Sequence, residues 1–336
     1  MNLTQQPTKT KSDLRTPRFN YKPFEYPKAF EYAKKQLHSF WIPDECSLTQ
    51  DVIDWESKLT EVEKSVIAGV LKGFTQAEIV IGDYWTQVDK WFPKPEISYM
   101  AKAFSTFEGI HGESYNLLSE TLGIDDFKAF LADPAARARL DNLIDARDGK
   151  AGDIARSLAV FSAFAEGVSL FSSFAILMRF PAQNKMKGIG NIIEYSSRDE
   201  NLHSSAGIWL FKEYCEENPE VRTKDLEEQI YEAALVCVDL EEKFIDSIYN
   251  GESLSGINPT DLKNYIRARA NLKLKELGYD LEVKYDKKSA YNISSWFDEL
   301  AGLGRNHDFF LTRSTEYSLK AGNFDPNDLN LDSLFE

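Results

Sequence analysis

Sulfur, histidine and positive charge are all scarce in this chain, and each shortage removes a class of function. The three cysteines, Cys46, Cys215 and Cys237, are an odd number at wide spacing with no C-x-x-C among them. That pattern excludes a disulfide framework and a zinc ribbon, and it fits a reducing cytoplasm. A net charge of −15 makes a surface that repels nucleic acid and anionic membrane, so neither is an expected partner. The first dozen residues lack the apolar segment of a secretory signal, which predicts a cytoplasmic chain. No uninterrupted membrane span is present either. The run from Leu158 to Phe180 approaches the length, but Glu166 lies in its middle and serines punctuate it, so it reads as one fully buried helix. A G-I-G fragment at 188–190 has no third glycine and no preceding strand, which leaves no dinucleotide fingerprint.

What the chain does have is helical periodicity. Residues 1–26 are polar, basic and proline-bearing, and read as an extended or disordered arm. Helices are then expected over about 27–40 and 50–59. A long one opens at the capping box Thr60-Glu61-Val62-Glu63 and runs to Phe92, where Pro93 and Pro95 stop it. Further helices are expected over about 96–121, in short pieces within 125–148, and over 153–179, 186–217, 223–249 and 259–277. From Gly278 the chain loosens, with Trp296 and Phe297 as an anchor, and 301–336 reads as a flexible tail. Acidic residues space a few terminal apolar ones there (Leu331, Leu334, Phe335), as in a docking peptide that orders on a partner.

The informative residues are charges on core stripes. Ala101, Phe104, Glu108, His111, Tyr115 and Leu118 recur in steps of three and four, so Glu108 and His111 share one buried face about 4.5 Å apart along the axis. Glu78 lies on the apolar stripe of the helix before, between Phe74 and Ile81. Glu166 sits in the buried run, and Glu200 and His203 repeat the Glu-x-x-His spacing on the stripe through Ile192 and Leu210. Two of only four histidines in the chain fall in these motifs. An unpaired carboxylate in a core is costly, and four of them facing one another would also repel. Two divalent cations would balance that charge. One Glu from each of two helices and Glu-x-x-His from two others is the donor set of dinuclear iron and manganese bundles, and carboxylate oxygen with imidazole suits those metals.

Beyond the ligands, several stretches resemble the small, radical-generating subunit of class I ribonucleotide reductases. They are F-W-I-P at 40–43, F-E-G-I-H-G-E-S-Y at 107–115, A-E-G-V-S-L-F around Glu166, R-D-E-N-L-H at 198–203 and D-F-F-L-T-R-S-T-E-Y at 308–317. The resemblance implies an all-α, ferritin-like bundle over 27–300 with a dinuclear centre of two manganese or two iron ions. It makes Glu78, Glu108, His111, Glu166, Glu200 and His203 the metal ligands and gives Tyr115 the position of the tyrosyl radical. Trp41 and Asp199 become a relay pair, with the aspartate bonded to the first ligand histidine. Tyr317 would pass the oxidising equivalent to a large catalytic subunit, on which Leu329 to Glu336 would dock, and the chain would form a homodimer. Two departures stand out: Glu78 where most relatives have Asp, and Ser196 in the tyrosine pocket. With the ligand spacing, Glu78 resembles a subgroup that uses two manganese ions and stores the oxidant on the metals instead of on Tyr115. The competing readings share the bundle. An iron-storage protein would be shorter and need no tail, and an oxygenase or ligand-binding oxidase would need a substrate tunnel.

Overall fold

The computed structural model describes residues 13–125, 132–148 and 153–301. Among these there are eleven α-helices and no strand. In chain order they are α1 (Pro27–His38), α2 (Thr49–Ser57), α3 (Glu61–Trp91), α4 (Pro95–Thr121), α5 (Pro134–Asp148), α6 (Ile154–Val160), α7 (Phe171–Ala182), α8 (Lys187–Glu217), α9 (Lys224–Tyr249), α10 (Pro259–Leu277) and α11 (Lys287–Leu300). Tyr317 and Leu329 to Glu336 lie outside the described residues.

Caps fix the ends of the helices that matter most. At α3 the Thr60 hydroxyl accepts from the Glu63 amide at 3.2 Å while the Glu63 carboxylate accepts from the Thr60 amide at 2.8 Å, so both partners satisfy orphan donors. The start of α8 has no such residue of its own, because Met186 stands at its N-cap in a left-handed conformation. Its free amides are met from α2 instead. Asp51 accepts from Gly188 and Ile189, each at 2.8 Å, and Asp54 accepts from Met186 at 2.9 Å. Two buried carboxylates thus sit on the positive end of the helix that carries Glu200 and His203.

Packing places α3 along α4, α1 across α4 and α8, and α8 against α6 and α7, with α5, α9 and α10 closing the other side. By length and composition alone α3 could cross a membrane, yet most of its apolar positions are buried in this bundle and it turns Glu78 inward.

Two expectations need correcting, over 153–179 and after Gly278. The run from 153 to 179 is buried at nearly every position but is not one helix: α6 passes into a π-helical turn over Phe161–Ala165, then into turns to Leu170, before α7 begins. Nearly every position of this run is buried, so no exposed polar side marks a period from which its register could be read. The chain after Gly278 is more ordered than expected, because Ala290, Ile293 and Phe297 form the buried face of α11. Residues 13–26 are extended but tied down. Leu14 is fully buried and its amide donates to Glu217 at 2.7 Å, while buried Glu96 accepts the amides of Glu25 and Tyr26 at 2.8 and 2.9 Å.

Candidate metal centre

The six candidate ligands converge. Glu78, Glu108, His111 and Glu200 offer ligand atoms that all lie within 4.8 Å of one another, and so do Glu108, Glu166, Glu200 and His203. Glu108 and Glu200 belong to both groups, so the cluster has two overlapping four-donor positions with two shared carboxylates. All six side chains are essentially withdrawn from solvent. The close approach of α8 to the π-turn depends on Gly207, where a Cβ would lie 2.5 Å from the Ser162 Cβ.

Both imidazoles turn Nδ1 toward the carboxylates. His111 Nδ1 is 3.1 Å from Glu108 and 3.0 Å from Glu200, and His203 Nδ1 is 2.6 Å from Glu108. Their outer nitrogens are engaged elsewhere, His111 Nε2 with Asp199 Oδ2 at 3.2 Å and His203 Nε2 with Gln36 Oε1 at 2.9 Å. With protons on the outer nitrogens, both Nδ1 lone pairs remain available to a metal. Gln36 also donates to Asp199 Oδ1 at 2.9 Å, and the Trp41 indole donates to Asp199 Oδ2 at 2.9 Å. One chain of hydrogen bonds therefore runs from Trp41 through Asp199 and Gln36 to His203, and Trp41 stacks near His111 with centroids 5.9 Å apart.

Two members of this surround are new relative to the expected site. Gln36 is fully buried on the face of α1 that also holds Ala29 and Ala33. A lone amide on an apolar stripe is the signal that could have marked it. Trp85, read as core, donates to Glu166 Oε1 at 2.7 Å. Tyr115 is buried beside the cluster, its ring 4.6 Å from Phe74 and 6.5 Å from His111. Its hydroxyl faces that of Ser196.

The electrostatics call for cations. Burial and the charges of Glu200 and Glu108 push the Glu78 and Glu166 carboxyls well above their usual range, and Glu200 is pushed up to about 7 by burial and by Glu108. Burial acts on Glu108 in the same direction, but His203 and His111 outweigh it and hold that carboxyl low. His111 is raised against the effect of burial by Asp199, Glu108 and Glu200. Among the described residues, no donor bonds either Glu78 oxygen or Glu166 Oε2. Buried carboxylates without donors are what a divalent pair would satisfy, and hard oxygens with two imidazoles match iron or manganese rather than zinc or calcium.

Comparison with known proteins agrees with this chemistry. Residues 18–288 match the family described as ribonucleotide reductase, small chain. A probable ribonucleoside-diphosphate reductase small subunit of Invertebrate iridescent virus 6 is 31% identical, over 89% of this chain and 93% of its own. Ribonucleoside-diphosphate reductase subunit beta of Chlamydia pneumoniae is 30% identical, over 90% of each. Among solved structures, the dimanganese(II)-NrdF of Streptococcus sanguinis superposes with a TM-score of 0.74 at 21% identity, covering 86% of this chain and all of that one. The fold is thus the ferritin-like bundle, and the carboxylate–imidazole cluster within it is a dinuclear metal site. Matched over most of its length, the chain belongs to the ribonucleotide reductase small-chain family and serves as the small subunit of an oxidoreductase that works with a large subunit.

Proposed function

We propose that this subunit oxidises a dinuclear centre and passes a one-electron oxidising equivalent through Trp41 and Asp199 to the large subunit. The observation that carries the reading is the joining of the cluster to an indole: Asp199 Oδ2 accepts from Trp41 and faces His111 Nε2. Glu78 and His111 would hold one ion, Glu166 and His203 the other, and Glu108 and Glu200 both. When bound, a redox-active pair supplies the oxidant. The donor set fits manganese and iron alike; Glu78 and the dimanganese relative support manganese.

The protein's own part is to orient groups and hold protons. The indole N–H becomes far more acidic when Trp41 gives up an electron, and Asp199 can take that proton at Oδ2 without releasing Gln36 from Oδ1. Phe74, Phe104 and Trp85 wall the cluster from water, since all three are buried beside Tyr115, His203 and Glu166. Tyr115 is the other candidate store. Oxidising a phenol to a neutral radical requires its proton to leave, and the Ser196 hydroxyl beside Tyr115 is a far weaker base than a carboxylate. This supports storage on the metals. Outside the described residues, Tyr317 would carry the equivalent onward and Leu329 to Glu336 would dock on the large subunit, with the small subunit acting as a cytoplasmic homodimer.

Metal analysis with electron paramagnetic resonance, on protein activated with each metal and assayed with its large subunit, tests the reading. Two ions per chain and turnover with manganese are expected. Turnover with iron alone, accompanied by a tyrosyl signal, would overturn the manganese assignment, and turnover in Trp41→Phe would overturn the route.

A further inference from the structure

We propose that two buried arginines, Arg139 and Arg269, position Glu166 by holding the irregular turn that carries it. The inference rests on the dinuclear reading and adds an asymmetry to it. Glu78, Glu108, His111, Glu200 and His203 stand on uninterrupted helices, α3, α4 and α8. Glu166 alone stands where a helix breaks. Its amide reaches back five residues to Phe161 O at 3.1 Å, and the amides of Val168 and Ser169 both turn to Phe164 O, at 3.2 and 2.9 Å. The Phe171 amide bonds Val168 O at 3.1 Å, so it does not serve the Gly167 carbonyl as it would in a regular helix.

Arginines from two other helices take up the carbonyls this leaves. Arg269 of α10 donates from Nε to Gly167 O at 3.0 Å, and Arg139 of α5 donates from Nη2 to Ser169 O. Both side chains are buried. Arg139 is held by an ion pair with buried Glu241, which also accepts from Ser172 at 2.8 Å. Arg269 lies against the Phe171 ring with its guanidinium carbon 3.3 Å from the centroid. Gly167 permits the approach, because a Cβ there would lie 2.3 Å from Ala163 O and 2.8 Å from Lys273 Cε.

The clamp matters because of what the turn does to Glu166. Removing the extra residue of a π-turn rotates everything beyond it by about 100°. A relaxed, regular helix would therefore swing this carboxylate off the cluster, away from Trp85 and His203. With the carbonyls of Gly167 and Ser169 bonded from outside, the irregular form keeps its hydrogen bonds and the carboxylate keeps its direction.

The experiment is a Mn(II) titration of the metal-free, full-length protein, with free Mn(II) read by electron paramagnetic resonance. In Arg269→Met one of the two sites should weaken about tenfold while the other is unchanged. Arg267→Met, which breaks the Arg267–Glu242 pair on the same helix without touching the turn, should leave both sites alone. In a Glu166→Ala background, Arg269→Met should cost nothing further, since the group it positions is gone. No change, equal weakening of both sites, or an undiminished effect without Glu166 would overturn the clamp. Should Arg269→Met not fold, Arg269→Lys is read by the same criteria. A wild-type chain that binds fewer than two Mn(II) would instead fail the dinuclear reading.

Discussion

The two halves of the cluster share Glu108 and Glu200 but are built differently. The half formed by Glu78 and His111 sits on two continuous helices and connects through Asp199 to Trp41. The half formed by Glu166 and His203 sits on a π-turn and on α8, and it connects to Trp85 and Gln36. A ligand on a regular helix has its direction set by the backbone, whereas one on an irregular turn depends on hydrogen bonds from outside its own helix. The first half leads to an indole, and the second is held from α10 and α5 through Arg269 and Arg139.

Cutting the first half's connection should have the largest effect. Trp41→Phe removes the only indole on Asp199 and should bring turnover with the large subunit to background while two metals still bind, as measured by activity assay beside metal analysis. Loss of metal in that variant would mean that the halves are not separable in this way.

A smaller effect is expected where the halves are joined. Gln36 bonds Asp199 on one side and His203 on the other, so Gln36→Leu should weaken metal binding about tenfold and slow turnover without abolishing it. An unchanged Mn(II) titration would remove Gln36 from the account. If the hole is stored on the metals, Tyr115→Phe should be milder still, retaining much of the activity. A tyrosyl signal that vanishes together with turnover in that variant would move the store from the metals to the phenol.

The smallest effect is one of pH on the metal-free protein. Folded Glu200 is raised from 4.5 to about 7, and Glu78, Glu166 and His111 are raised as well. The folded state therefore holds more protons than the unfolded one, and the stability this confers is complete below the unfolded values and lost as pH rises through the folded ones. Glu108, held low, acts in the opposite sense, its contribution disappearing only as pH falls below the ordinary carboxylate range. Metal-free protein should thus melt at lower temperature at about pH 8 than at about pH 5, and bound metal should abolish the difference. Scanning calorimetry of both forms decides it; a melting temperature that rises with pH in the metal-free form would contradict the raised carboxyls.

Most of the first half was legible in the sequence, because Glu78, Glu108 and His111 interrupt clear apolar stripes. Glu200 and His203 were legible for the same reason. Glu166 could be singled out as a charge in an apolar run, but its π-turn could not, since a segment buried on every face has no polar side to set its phase. Gln36 was in view as an amide between Ala33 and Leu37, yet its role depends on two residues more than 160 positions away. The order of residues 13–26 likewise depends on Glu96 and Glu217, which sequence spacing does not connect to the arm. α11 was concealed by its polar composition, although Ala290, Ile293 and Phe297 carry the helical spacing.

The shared-ligand arrangement is tested most directly by anomalous diffraction at the manganese edge on crystals of the metal-loaded protein. Two peaks about 3.5–4 Å apart are expected, one against Glu78 and His111 and the other against Glu166 and His203, with Glu108 and Glu200 touching both. A single peak, or two that do not share those carboxylates, would contradict it.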